Sequence, residues 1–77
     1  MSPLQAWLTE LGMTHRRFAL AAGVSGALVQ AVCRGELPFK GKLRNYVATL
    51  KPLLPEQYDA WLEVERRETQ RQLEAAV

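Results

Sequence analysis

The chain has 77 residues, with ten Lys or Arg against eight Asp or Glu and one cysteine. That length bounds a single domain with a small core, and a composition of 48% hydrophobic and 23% charged residues is that of a folded globular chain. One cysteine excludes an internal disulfide and a Cys-built metal site. The absence of a membrane-length apolar run or a signal-like start makes a cytoplasmic protein the expectation.

Ser2-Pro3-Leu4-Gln5 reads as a helix start, with Ser2 as cap, Pro3 in the first helical position and Gln5 reaching back in a capping box. Leu4, Trp7, Leu8 and Leu11 then form one apolar stripe, which Gly12 ends. Thr14 caps a second, short helix whose inner face is Phe18, Ala19 and Ala22, and Gly23 breaks it. Ser25 caps a third helix with Leu28, Val29 and Val32 as its apolar residues and Gly35 as its close. The stretch from Glu36 to Gly41 reads as a loop, punctuated by Pro38 and Gly41. Leu43, Tyr46, Val47 and Leu50 mark a fourth helix that Pro52 stops. Pro55-Glu56-Gln57 opens a fifth helix, led in by Leu54, with Tyr58, Trp61, Leu62 and Glu65 on its inner side at first. No strand-like alternation interrupts this, so the expectation is all-α, five helices and no sheet. Residues 1–54 would form the bundle and 55–77 a C-terminal helix able to extend beyond it.

The charge divides along the same line. Met1 to Leu54 carries seven bases against two acids, a net +5, while Pro55 to Val77 carries three bases against six acids, a net −3. A basic body with an acidic tail suits one face meeting a polyanion.

The segment Thr14 to Ser25 fills every slot of a helix-turn-helix. Two short helices meeting steeply across a tight turn need a small residue at their approach, supplied by Ala19, and a turn residue tolerating positive φ, supplied by Gly23. Val24 provides the buried plug and Ser25 the cap of the second helix, with Val29 and Val32 turned inward. In Phe18-Ala19, Ala22-Gly23-Val24-Ser25, Val29, Val32 and Gly35 the chain resembles the helix-turn-helix family of phage Cro proteins and repressors, over roughly Leu4 to Leu50.

The resemblance implies a lambda-repressor-like bundle that binds double-stranded DNA. Its third helix would lie in the major groove, and its base-reading positions would be Gly26, Ala27 and Ala31, with Leu28 and Gln30 nearby. The chain departs from the family here, because Gly and Ala offer no side-chain hydrogen bond to a base; Gln30 is the polar candidate, able to pair with adenine. Either the protein leans on backbone contacts and DNA shape, or the motif has been turned to binding protein, as in an antitoxin or an adaptor. Phosphate contacts are expected from Thr14, His15, Arg16, Arg17, Ser25, Arg34, Lys40, Lys42 and Arg44.

Other residues offer less chemistry. His15 lacks a second ligand at helical spacing, so no metal site is expected, nor is any other cofactor or small-molecule ligand. Cys33 reads as a small filler before a redox thiol, and Trp7 and Trp61 as core anchors. No catalytic set emerges, so the protein is not expected to be an enzyme. In the last helix Glu63 and Arg67 fall at an attractive i, i+4 spacing. The helix would pair with a second copy through Trp61, Leu62, Leu73 and Val77, giving a homodimer with two recognition helices about 34 Å apart, one DNA turn. The function implied is that of a repressor occupying an operator.

Overall fold

Local chemistry sets the helix starts. In the computed structural model, which describes residues 1–76, α1 runs Pro3–Leu11 and the Ser2 hydroxyl accepts the Gln5 amide at 3.1 Å. The Thr14 hydroxyl does the same for Arg17 at the head of α2 (His15–Ala22), and Ser25 for Leu28 at the head of α3 (Gly26–Cys33), both at 3.1 Å. Each cap satisfies an amide that has no partner inside its helix. Helix α4 (Gly41–Leu50) starts without a side-chain cap, and α5 covers Leu54–Ala76. The chain is therefore all-helical, with five helices and no strand among the described residues.

Two starts differ from the sequence reading. Gly41 opens α4 instead of ending the loop before it, and α5 begins at Leu54, with Pro55 in its first turn, where a missing N–H costs nothing. The expected capping box is only half made. The Gln5 side chain turns away from Ser2, donating to the Thr9 hydroxyl and bonding His15.

The core gathers one face of each helix. Leu4 and Leu8, Phe18 and Ala19, Val29 and Val32, Leu43 and Val47, and Leu54 and Tyr58 are all buried. Phe18 meets the Trp7 ring edge-on at 5.6 Å and the Tyr46 ring at 5.7 Å, which ties α1, α2 and α4 together. Phe39, assigned from sequence to a loop, is buried and lies 4.9 Å from the Tyr58 ring. Helices α2 and α3, joined by Gly23-Val24-Ser25, pack more extensively on each other than any other pair.

Helix α5 leaves this body part-way along. Tyr58 is its last buried residue, Trp61 and Leu62 are half-buried, and every residue from Glu63 to Ala76 is exposed. The division between body and projection thus falls near Leu62, not at Pro55, and the molecule measures 44 × 23 × 23 Å. Among the described residues no helix is long and apolar enough to cross a membrane.

Candidate functional site

Helix α3 is two-faced. Val29, Val32 and Cys33 point into the core, while Ala27, Gln30 and Arg34 are exposed along one side with Ala31 half-buried beside them. These outward positions recur at i, i+3, i+4 and i+7, so they share a stripe along the helix. Of the five proposed base readers, Ala27, Gln30 and Ala31 lie on this stripe. Leu28 does not, because it packs against the core, and Gly26 is half-buried against α2. A side chain at Gly26 would start 3.5 Å from the Arg16 Cα, so the heads of the two helices abut there.

The exposed cations of the expected phosphate-binding set stand at three helix ends, the heads of α2 and α4 and the tail of α3. Arg16 and Arg17 are exposed on the first turn of α2, and Arg16 is held beside the start of α3 by that approach. The Lys42 ammonium sits at the connection between α2 and α3; a Cβ at Gly23, whose φ of +74° only glycine takes readily, would lie 2.8 Å from Nζ. A cation there also faces the carbonyl end of α2, where the helix dipole favours it. Lys40 is exposed at the head of α4 and Arg34 at the tail of α3.

Four residues of the expected phosphate-binding set make bonds within the protein. Arg44 makes a two-pronged pair with Asp59 at 3.0 and 2.9 Å, donates to the Phe39 carbonyl at 3.0 Å, and lies over the Phe39 ring. That bidentate pair holds the Asp59 carboxyl below its ordinary value and raises the Arg44 guanidinium. Arg44 therefore fastens α4 to α5 instead of standing ready for a phosphate. His15 is half-buried and bonds Gln5 of α1, so it too faces inward across a helix pair. Thr14 and Ser25 are exposed, but their hydroxyls already serve as caps.

Other features were not legible from spacing. The Tyr58 hydroxyl donates to the Val32 carbonyl at 2.6 Å, fixing α5 to the end of α3, and burial raises its phenol. Cys33 is buried, and desolvation pushes its thiol from 9.0 up to about 11, which leaves no reactive thiolate at neutral pH. Among the described residues no group of His, Cys, Asp or Glu could hold a metal ion. Of the residues expected at a dimer contact, Trp61 and Leu62 lean on the core, Leu73 is 64% exposed, and Val77 lies outside the described residues.

Comparison with protein-family models, with curated proteins and with solved structures finds no match to this chain.

Proposed function

We propose that this protein binds double-stranded DNA and acts as a transcriptional regulator, a repressor that occupies an operator. The observation that carries this reading is the outer stripe of α3, on which Ala27, Gln30 and Arg34 are exposed and Ala31 half-buried, with Arg16 beside its first turn, Lys42 at the α2–α3 connection and Arg17 exposed on α2. Between Leu11 and Gly35 there is no acidic residue, so nothing along α2 and α3 repels a phosphate. A major groove about 12 Å wide admits an α-helix, and alanines on its leading side let the backbone come close to the base edges. Gln30 is the reader, able to bond adenine through its amide, with the Ala methyls touching thymine. The arginines and lysines grip phosphates and set the register.

The small, smooth Ala27–Ala31 surface also favours a second reading, a protein-interaction module such as an antitoxin or adaptor. The two separate in an electrophoretic shift with DNA flanking the protein's own gene, run at two salt concentrations. Regulation predicts retardation of that duplex over a scrambled one at both. Failure to shift any duplex at low salt leaves the protein-binding reading standing. Arg17→Ala should weaken binding to all sequences alike and flatten the logarithmic salt dependence by about one unit. Gln30→Ala should instead cost about 10- to 100-fold on the preferred site and little elsewhere. Identical profiles for the two variants would reject the division of roles.

A further inference from the structure

An open groove of about 640 Å³ lies where α5 leaves the body, walled by Arg34 to Pro38 on one side and by Trp61, Leu62 and Leu73 of α5 on the other. Leu37 and Leu73, at 42% and 64% exposure, present apolar surface there to water. We propose that this groove receives the α5 helix of a second copy of the chain, running antiparallel, with Leu73 of each copy seated against Leu37, Trp61 and Leu62 of the other.

Three observations select that occupant. The stretch from Glu63 to Ala76 extends α5 with every residue exposed, so no packing within the single chain supports it. Leu62, Arg66, Thr69 and Leu73 recur at spacings of four, three and four, the spacing of a helix-pairing seam, apolar at its two ends and polar between them. That pattern is its own mirror end to end. Reversing the helix lays Leu62 on Leu73 and Arg66 on Thr69, as a two-fold contact requires, because the same patch must serve both partners.

Charge agrees with the same register. Glu65 comes opposite Gln70, and Arg66 opposite Thr69, so no like charges face each other along the seam. Glu74 of the second copy comes opposite Trp61, at the wall of the groove that carries Arg34 and, two residues on, Glu36. An acid of one copy thus comes to the wall that holds a base of the other, twice per pair.

The inference does not rest on DNA binding, and its test is made on the full chain without DNA. Sedimentation equilibrium should show a reversible monomer–dimer equilibrium. Leu73→Glu, at an exposed position, should keep its helical circular dichroism and raise the dissociation constant by at least about tenfold. Arg34→Glu should weaken the pair, and Arg34→Glu combined with Glu74→Arg should restore it to within about threefold. A monomer throughout the accessible range, a dimer indifferent to Leu73→Glu, or a double variant no better than Arg34→Glu alone would each overturn it. A failed DNA shift would leave this result untouched.

Discussion

Cys33 and Tyr58 are acids whose neutral forms the fold favours. Burial is the main cause in both, raising the thiol from 9.0 to about 11 and the phenol in the same direction. As pH climbs past 9 the unfolded chain releases the Cys33 proton first, so the unfolded state gains. Stability is complete below about pH 9 and falls toward pH 11, by roughly 2 kcal/mol from Cys33 at about 1.4 kcal/mol per unit. Thermal melts at pH 8 and pH 10.5 should differ more for the native chain than for Cys33→Ala. Equal differences would show that Cys33 does not cause the loss. At this scale the sequence was least informative. Asp59 takes Arg44, and Gln5 takes His15, across 15 and 10 residues of chain, and no local spacing rule announces such pairs. Glu63 and Arg67 were legible because both sit on one helix, and they do meet at 3.4 Å.

Gly35 shows how one element's end depends on another. It closes α3 at φ +77°, with the Glu36 amide on the Ala31 carbonyl at 2.9 Å and its own amide on Val32 at 3.0 Å. A Cβ there would lie 3.0 Å from the Trp61 ring, whereas at Gly23 it would meet only the flexible end of Lys42. Gly23→Ala should cost about 1 kcal/mol of backbone strain, and Gly35→Ala about 2 kcal/mol or more, since the indole must also move. Chemical denaturation would check the order, and equal costs would mean that Trp61 gives way freely. Helix bounds were readable from sequence to within a residue or so because Ser2, Thr14 and Ser25 act on amides three residues away. Phe39 lies in the loop the sequence marks, but its burial was not legible there because it comes from Tyr58 on a distant helix. Leu28 carried two readings at once, apolar stripe and base contact, and packing chose the first.

The whole molecule is a compact body with a projecting rod, and its stability should be distributed to match. In dilute solution, amides from about Arg66 onward should exchange with solvent nearly unprotected, while those of Val29, Val32 and Val47 exchange only on global unfolding. Comparable protection of both regions in the monomer would contradict this picture. Protection of the rod should rise with protein concentration as copies pair.

The chain's sole cysteine, shut inside α3, also settles how copies of this protein can be handled. Air cannot staple two folded molecules through a sulfur that neither exposes, so purification needs no reductant. An assembly of folded copies is therefore held without a disulfide, and its strength can be weighed at equilibrium instead of being trapped by oxidation.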